Sequence, residues 1–219
     1  LFCIGREEAF LSKTIAVHNP FEFQKRDVER PFQRKIFSIS PRLAKILVNL
    51  TICSPGKRLL DPFCGVGTIL QEAALMQMEV IGVDKDAWCV KAARVNLDWL
   101  KKEYPSQLKD MRSTVLLGDA TSLTTQIEAN SVDAIATEPS LGSALRFIPT
   151  VSRAKRIVED LKPLYYPFLE EAYKVLKCNG RLVVVSPLVR TRTFEPVYLD
   201  IDEKAESESF KRVYPVRRE

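Results

Sequence analysis

The chain has 219 residues, of which 46% are hydrophobic and 28% charged, and its net charge is +5 at pH 7. This length can bury one substantial core, and no apolar run reaches the roughly 18 to 20 residues that a membrane-spanning helix needs. The positive charge is compatible with a nucleic-acid partner, although a solvated basic surface would produce the same value.

The cysteines and the histidine argue against a metal centre. Five cysteines stand singly, without a C-x-x-C pair, and His18 is the one histidine in the sequence. Local spacing therefore offers no zinc or iron–sulfur site. An odd number of cysteines with no secretory segment predicts a reducing compartment, which we take to be the cytoplasm.

Residues 1–35 differ in composition from the rest of the chain, and we interpret them as an N-terminal extension or linker before one domain at 36–219. Short strands are predicted at 1–4 and 14–17. Because the first residue is Leu1 and not methionine, we expect a further segment upstream. Several basic residues of the extension either contact phosphate groups or simply face solvent. They are Lys25, Arg26, Arg30, Arg34 and Lys35.

A helix is predicted from residue 41 to about residue 52. Ser40 is a good N-cap residue, and Pro41 suits the first helical position. The capped amino end of such a helix attracts anionic groups. The side chains that we expect to form its buried stripe are Leu43, Ile46, Leu47 and Leu50.

A strand, a glycine loop and a helix are predicted between residues 59 and 75. Gly65 and Gly67 let the backbone turn sharply and let a ligand approach its N–H groups. A dinucleotide fingerprint is excluded because Leu70 stands where its third glycine belongs, and no Gly-Lys-Ser/Thr comes after the glycines for a phosphate loop. Asp61 at the strand tip then suits a ligand with an ammonium group, a sulfonium and an adenosine but no phosphates. That description fits S-adenosylmethionine.

Two further strands are each followed by an acid. Asp84 ends a strand at 79–84, at about the interval from the glycine loop that places a carboxylate on ribose hydroxyls; capping of a helix that starts at Asp86 is the alternative. Asp119 comes after a strand at 115–117, and its alternative role is to cap a short helix. With Asp61 these acids lie along one edge of a parallel sheet, where open α/β folds bind ligands.

The run DPFCGVGTILQEA at 61–73 resembles the first motif of the THUMP-associated, Rossmann-like RNA guanosine N2-methyltransferases, and the likeness extends over about 30–187. It is closest to the archaeal and eukaryotic tRNA branch. The resemblance implies an α/β fold with a doubly wound Rossmann-like sheet, mostly parallel with an antiparallel last strand. It also implies S-adenosylmethionine as cofactor, RNA and in particular tRNA as partner, and an RNA-binding module upstream of this chain.

The resemblance implies roles for individual residues as well. Asp119 would accept from the adenine amino group, and the start of the helix after Ser40 would lie near the cofactor's carboxylate. No metal is expected to take part. The cofactor-binding residues implied or inferred are Ser38, Ser40, Asp61, Phe63, Cys64, Gly65, Gly67, Thr68, Asp84, Lys85, Asp119 and Ala120.

A fourth strand at 132–137 leads into Glu138-Pro139-Ser140-Leu141, where the sequence departs from the family. Amino-group methyltransferases of this kind carry Asp or Asn, two prolines and an aromatic residue at this turn. We expect Glu138 and the Pro139 carbonyl to accept the N–H bonds of the acceptor amine. Leu141 cannot stack on a base as an aromatic ring does. The aromatic ring of the family motif is therefore either supplied by a later residue or missing. The later aromatic residues, Phe147, Tyr165 and Tyr166, either supply it or pack in the core.

The remaining segment is predicted to complete the sheet. Basic residues between 146 and 162 form either an RNA-facing helix or a solvated one. Next come a helix at 165–176, a turn at 178–180 and a buried strand at 181–187. The β-leaning stretches 195–201 and 210–216 are expected to be strands six and seven, the latter antiparallel.

The leading hypothesis is an S-adenosylmethionine-dependent RNA methyltransferase that acts on the N2 amine of a guanosine. One alternative is a different amine acceptor, in DNA or in protein. Another is a module that binds the cofactor without catalysis, which the departure at Glu138-Pro139-Ser140-Leu141 would explain. A nicotinamide oxidoreductase is disfavoured by Leu70.

Overall fold

The computed structural model describes residues 2–4, 8–15, 17, 19–34 and 38–214. Its elements alternate between strands and helices through most of this range. In chain order they are β1 (Phe2–Ile4), β2 (Ala9–Leu11), α1 (Pro20–Val28), α2 (Pro41–Leu50), β3 (Arg58–Asp61), α3 (Thr68–Leu75), β4 (Glu79–Asp84), α4 (Ala87–Glu103), β5 (Ser113–Leu117), a 3₁₀ helix (Ala120–Thr125), β6 (Val132–Thr137), α5 (Val151–Glu159), α6 (Lys162–Val175), β7 (Leu176–Val184), β8 (Leu188–Val189), β9 (Val197–Tyr198) and α7 (Asp202–Ser207).

The central sheet has five parallel strands in the order β5-β4-β3-β6-β7. The chain moves outward from β3 to β5 and then returns to the other side of β3 with β6. Strand order therefore reverses between β3 and β6, and a crevice opens there at the carboxyl ends of the strands. The predicted doubly wound α/β fold is confirmed.

Helices cover both faces of this sheet and produce a core on each side. Successive side chains of a strand point to opposite faces, so Leu59 packs with α2, α3 and α4, while its neighbour Leu60 packs with the 3₁₀ helix and α6. Both leucines are completely buried. The short strand β3 is thus buried on its two faces and holds the start of the glycine loop rigidly.

Most predicted elements are confirmed. The strands at 79–84 and 132–137 have the predicted bounds, and the side chain of Ser40 caps α2 by accepting from the Leu43 N–H. The turn predicted at 178–180 lies within β7 as a break in its register with β6, and Asn179 has a φ of 64° there. Helix α6 begins at residue 162, three residues earlier than predicted.

The predicted buried stripe of α2 is wrong at three of its four positions. Leu43, Ile46 and Leu50 are 37% to 53% exposed, whereas Leu47 is buried as predicted. The helix turns Ala44 and Val48 toward the core instead. Apolar residues occur nearly all around this helix, so periodicity alone did not select the inward face, and the small alanine allows close packing against α3.

The C-terminal segment does not add strands to the central sheet in the described residues. Val197–Tyr198 pair with Leu188–Val189 in a separate antiparallel two-stranded sheet, and residues 210–214 form no strand. Residues 215 and 216 of the predicted seventh strand lie outside the described residues. Up to residue 214, antiparallel pairing at this end is therefore confined to the small sheet.

The N-terminal extension also differs from its prediction. Phe2–Ile4 form a strand as predicted, and they pair antiparallel with Ala9–Leu11, a strand that was not predicted. Residues 14, 15 and 17 of the second predicted strand form no strand. Residue 16 lies outside the described part of the chain. So do Lys35, for which phosphate contact and solvent exposure were the alternatives, and the predicted domain boundary at 35 and 36.

Helix α1, which was not predicted, packs against the domain. Arg26 is 4% exposed, and its Nε donates to Glu72 Oε1 of α3 at 2.6 Å. Farther along, the backbone of Phe32 exchanges two hydrogen bonds with the side chain of Asn96 in α4. Residues 20–34 are therefore attached to the core of the domain. Neither alternative for Arg26, a phosphate contact or a solvent-facing side chain, holds, because its guanidinium is buried in an ion pair.

Replacing Glu72 with glutamine should lower the free energy of unfolding by about 3 kcal/mol, because it leaves the buried Arg26 charge without its acid. Urea unfolding followed by circular dichroism measures this change. The matched control is Glu103→Gln, which breaks the partly exposed Lys25–Glu103 pair at 2.6 Å and should cost less than about 1 kcal/mol. Equal losses in the two variants would contradict the expectation.

Candidate cofactor and acceptor site

A cleft lies at the carboxyl ends of β3 and β6, where the strand order reverses. It brings together seven predicted site residues, namely Ser38, Asp61, Phe63, Cys64, Gly65, Thr68 and Glu138. These residues come from separate stretches of the chain, and the parallel sheet places them side by side. The other lining residues are Arg34, Ile39, Val66 and Ile69.

The glycine loop is a tight turn, and three of its N–H groups are used internally. Cys64 N–H donates to the Val83 carbonyl, Gly65 N–H to Asp84 Oδ2 and Gly67 N–H to the Cys64 carbonyl. Gly67 has a φ of 88°, and a Cβ on it would lie 3.2 Å from the Ala93 Cβ. A glycine is needed here for both reasons. Because these N–H groups are occupied, they do not form a cradle for a pyrophosphate.

Asp61 is a buried carboxylate at the tip of β3. It is 1% exposed and accepts from Thr137 Oγ1 at 2.6 Å and from the Phe63 N–H at 3.2 Å. Burial raises its pKa to about 7, the two hydrogen bonds oppose that rise, and the nearby carboxylates Asp84 and Glu138 add to it. Burial and the neighbouring acids disfavour the ionised form of this carboxylate, so a cationic partner beside it would stabilise that form strongly.

Asp84 connects the end of β4 to the glycine loop. Its Oδ2 accepts from the Gly65 N–H at 2.8 Å and its Oδ1 from the Asp86 N–H at 2.9 Å. The N-cap of α4 is Asp86, which accepts from the Trp88 N–H. The alternative interpretation, in which Asp84 caps this helix, is therefore wrong. Each oxygen of Asp84 retains a lone pair for a further donor.

The remaining predicted cofactor residues stand outside the residues that line this cleft. Asp119 comes directly after β5 and Gly118, and its Oδ1 accepts from the N–H and the hydroxyl of Thr121, which lower its pKa. It thereby caps the 3₁₀ helix, as in the alternative interpretation. Its other carboxylate oxygen is available to accept a hydrogen bond from a ligand. Lys85 is exposed and Ala120 is buried at the neighbouring strand ends. Ser40 is exposed at the N-cap of α2.

The turn after β6 presents Glu138 to the cleft. Glu138 is half-buried, burial raises its pKa, and it has no hydrogen-bond partner among the described residues. Pro139 is buried behind it. The hydroxyl of Tyr165 lies 3.2 Å from both the Ser140 and the Val185 carbonyl oxygens, and its one hydrogen is shared between these two acceptors. A buried tyrosine thus fixes the backbone that carries Glu138.

The aromatic candidates have different positions. Tyr165 is completely buried, and Tyr166 packs partly buried in the same cluster. Phe147 is 81% exposed on the segment between β6 and α5, and Leu141 is 42% exposed. Core packing is therefore confirmed for the two tyrosines, and Phe147 is the candidate whose ring is accessible.

Besides the four further lining residues of the cleft, two residues that donate hydrogen bonds to side chains of the site were not predicted to belong to it. Thr137 donates to Asp61, and Arg30, 3% exposed, donates to Thr68 and Ser38. Neither alternative given for Arg30, a phosphate contact or a solvent-facing side chain, holds, because its guanidinium is buried beside α3. Thr137 ends β6 and directly precedes Glu138, and this position is a sequence signal by which it could have been predicted. Nothing in the local sequence distinguishes Arg30 from the neighbouring basic residues.

The described residues contain no cluster of acids, cysteines or histidines that could hold a metal ion. Within the same ranges, no helix is long and apolar enough to cross a membrane. Cys53, Cys64, Cys89 and Cys178 are free thiols.

The donors and acceptors of the cleft fit S-adenosylmethionine. The buried Asp61 carboxylate, with its pKa near 7, suits a positively charged ammonium group. Asp84 has acceptor capacity for ribose hydroxyls. The internally bonded glycine loop has no phosphate cradle among Cys64, Gly65 and Gly67, and the cofactor carries no phosphate.

Comparison with known proteins assigns most of the chain to a protein family. Residues 29–211 match the family described as UPF0020, the RMKL-like methyltransferase domain. The chain is 34% identical over 168 residues to the tRNA (guanine(10)-N2)-dimethyltransferase of Pyrococcus abyssi, covering 76% of this chain and 44% of that protein. It is 34% identical over 180 residues to the protein of the same name from Methanothermobacter thermautotrophicus, covering 81% and 47%. The chain spans about half the length of these curated relatives.

A solved structure is similar to this chain as well. The crystal structure of TrmN from Thermus thermophilus is 31% identical in sequence, with a TM-score of 0.52 over 68% of this chain and 39% of that one. The family match covers the glycine loop, the three strand-end acids and the turn at Glu138. The chain therefore belongs to the RMKL-like methyltransferase domain family, whose cofactor is S-adenosylmethionine.

Proposed function

We propose that this chain transfers a methyl group from S-adenosylmethionine to the exocyclic N2 amine of a guanosine in RNA, with tRNA as the substrate. The observation that carries the proposal is the position of Glu138 in the same cleft as Asp61 and the glycine loop. An acceptor for amine N–H bonds thus lies beside the site that fits the methyl donor. The tRNA guanine-N2 names of the relatives support this choice of acceptor.

The cofactor is held, in this proposal, by the three strand-end acids and the loop between them. Asp61 pairs with the ammonium group, Asp84 accepts from the ribose hydroxyls, and Asp119 accepts from the adenine amino group through its available oxygen. When bound, S-adenosylmethionine supplies an electrophilic methyl group. The further contacts come from Ser38, Ser40, Phe63, Cys64, Gly65, Gly67, Thr68, Lys85 and Ala120.

Glu138 and Pro139 orient the acceptor. The lone pair of an exocyclic amine is delocalised into the base, so it must be aimed by accepting the two N–H bonds of the amine. The Glu138 carboxylate accepts one and the Pro139 carbonyl the other. Because burial raises the pKa of Glu138, its carboxylate is also a better base for the proton that the amine loses. Tyr165 keeps this geometry rigid by fixing the Ser140 carbonyl, and positioning is the main source of catalysis in such a reaction.

The acceptor RNA approaches, in this proposal, across the segment between β6 and α5. The accessible ring of Phe147 replaces the aromatic residue that is missing at Leu141 and stacks on a base. Basic side chains nearby are exposed and suited to phosphate contacts. They are Arg146, Arg153, Lys155 and Arg156.

Replacing Phe147 with alanine should raise KM for RNA by about tenfold, because stacking of a base on an aromatic ring contributes roughly 1 to 3 kcal/mol. Steady-state kinetics with saturating cofactor measure it. Phe147→Tyr keeps the ring and should keep KM. The exposed Phe194, 95% accessible on the segment before β9, provides a control, since Phe194→Ala should leave KM unchanged. An unchanged KM in Phe147→Ala would show that this ring is not used.

The test of the function is methyl transfer from labelled S-adenosylmethionine into separate pools of RNA, DNA and protein. Label in RNA, recovered as N2-methylated guanosine by mass spectrometry of nucleosides, is the expected result. Label in DNA or protein alone would assign a different amine acceptor. Binding of the cofactor without transfer to any pool would favour an inactive binding module, the second candidate, which the leucine at Leu141 favours. A cytoplasmic location and an RNA-binding module upstream belong to the same proposal.

A further inference from the structure

The small antiparallel sheet of β8 and β9 is packed against α5 and α6. Val189 in the sheet is 8% exposed, and Leu199 directly after it is 2% exposed. Both lie in one apolar cluster with Ala154 of α5 and Tyr165 of α6. The segment that connects the two strands, residues 190–196, is therefore attached to the domain beside α5.

This connecting segment is a turn with hydrogen bonds of its own. Thr191 is 2% exposed, and its hydroxyl donates to the Glu195 carbonyl at 2.6 Å. The Phe194 N–H donates back to the Thr191 carbonyl at 3.1 Å. With Thr191 turned inward, its two neighbours Arg190 and Arg192 are exposed at the surface.

Arg192 connects this turn to the segment that carries Phe147. Its backbone N–H donates to the Pro149 carbonyl at 3.1 Å, and its side-chain Nε donates to the carbonyl of Ile148, the residue after Phe147, at 3.0 Å. The guanidinium is therefore held in one orientation. Its two Nη groups have no hydrogen-bond or ion-pair partner among the described residues. Such a fork of N–H donors matches the oxygens of a phosphate or a carboxylate.

The charges around Arg192 favour a polyanion over a single carboxylate. Residues 146–160 and 188–198 contain six basic residues and three acids, and one of these acids, Glu159, is paired with Lys162. The other five basic residues are exposed and form no ion pair with the described part of the chain. Charge of one sign over a continuous surface attracts a polyanion such as RNA. These five residues are Arg146, Arg153, Lys155, Arg156 and Arg190.

We propose that the small sheet belongs to the RNA-binding surface, and that Arg192 binds a backbone phosphate next to the guanosine that is methylated. The inference rests on the proposed function, in which Phe147 stacks on a base of the substrate. Phosphate contacts determine the register and orientation of a nucleic acid without reading its sequence. Arg192 is a positioning residue in this sense, because it fixes the RNA strand and does not touch the reacting amine.

The test measures binding of an unmodified tRNA transcript at several salt concentrations. Arg192→Gln removes the charge and the fork of donors. At about 0.1 M salt, Kd for the transcript should rise by about five- to tenfold, and the slope of log Kd against log salt concentration should fall by about 0.7 to 0.9, the change expected for one phosphate contact. Kd for S-adenosylhomocysteine should change less than about twofold, because its cleft is unaltered.

Two variants serve as comparisons. Arg112→Gln is the matched control, because it removes the same charge from an exposed arginine that pairs with Glu79 at 3.4 Å. Arg112 directly precedes β5, at the amino ends of the strands and away from the cleft, so this variant should keep the wild-type Kd and slope. Arg192→Lys retains the charge but loses the bond to the Ile148 carbonyl. It should keep the salt slope and raise Kd less than Arg192→Gln does.

The salt slope separates a phosphate contact from a structural role. A higher Kd with an unchanged slope in Arg192→Gln would overturn the proposal, since it would mean that Arg192 only holds residues 148 and 149. An unchanged Kd and slope would overturn it as well. Both results leave the methyltransferase function standing.

A second variant applies if Arg192→Gln does not fold, which circular dichroism detects. Arg190 lies on the same turn and forms no hydrogen bond or ion pair with the described residues, so Arg190→Gln leaves the attachment of the turn intact. It should lower the salt slope by the same amount, and an unchanged slope would again overturn the proposal. Failure of the wild type to bind the tRNA transcript would instead contradict the proposed function.

Discussion

Replacing Glu138 with alanine should lower kcat for RNA methylation by about 10²- to 10³-fold, the usual effect of deleting one positioned group that stabilises the transition state. The reason lies in the turn after β6, where Glu138 faces the cleft half-buried and without a hydrogen-bond partner among the described residues. Such an acceptor is available for the amine. Kd for S-adenosylhomocysteine should change less than about threefold, because the proposed cofactor contacts remain.

Single-turnover kinetics with tRNA measure this loss separately from product release. Glu138→Asp shortens the side chain by one methylene and keeps the carboxylate, so it should retain more activity than the alanine variant. Glu128→Ala is the control. Glu128 is an exposed acid before β6, at the amino ends of the strands and therefore away from the cleft. Full activity in Glu138→Ala would remove Glu138 from the mechanism and leave the cofactor site unaffected.

The affinity for S-adenosylhomocysteine should rise about tenfold per pH unit as the pH increases toward 7 and level off above it. The pKa of Asp61 is about 7 because the carboxylate is buried and lies near Asp84 and Glu138. Its ionised form is the one that binds an ammonium group, so binding below pH 7 must first remove a proton. Calorimetry between about pH 5.5 and pH 8.5, in buffers of different ionisation enthalpy, measures both the affinity and the released proton.

Asp61→Asn removes the titrating group and should make the affinity weak and nearly independent of pH. The ligand-free protein provides a second readout with the opposite sign. Since the pKa of Asp61 is raised on folding, its ionisation costs stability as the pH rises from about 4 through 7, and Asp61→Asn should lose this part of the decline. An unchanged pH dependence of binding in this variant would assign the proton to another group.

Local chemistry accounts for the features that the sequence predicted correctly. Strands β3 and β4 end at Asp61 and Asp84, and Asp119 comes two residues after the end of β5, because each short apolar run is followed by an acid. The cap of α2 results from Ser40 and Pro41. The need for glycine at Gly67 comes from a positive φ that other residues rarely adopt. Each of these depends on a few neighbouring residues, so periodicity and backbone preference were sufficient.

Tertiary packing decided the rest. Arg26 and Arg30 belong to one basic stretch, yet one is buried against an acid of α3 and the other against two hydroxyls at the edge of the cleft. Tyr165 fixes the turn that carries Glu138 from 25 residues away along the chain. Short-range sequence patterns indicate which residues could form such contacts, but they do not determine which of these residues actually form them. That choice is made by which surfaces the sheet and helices bring together, because burial and charge pairing are properties of the assembled core.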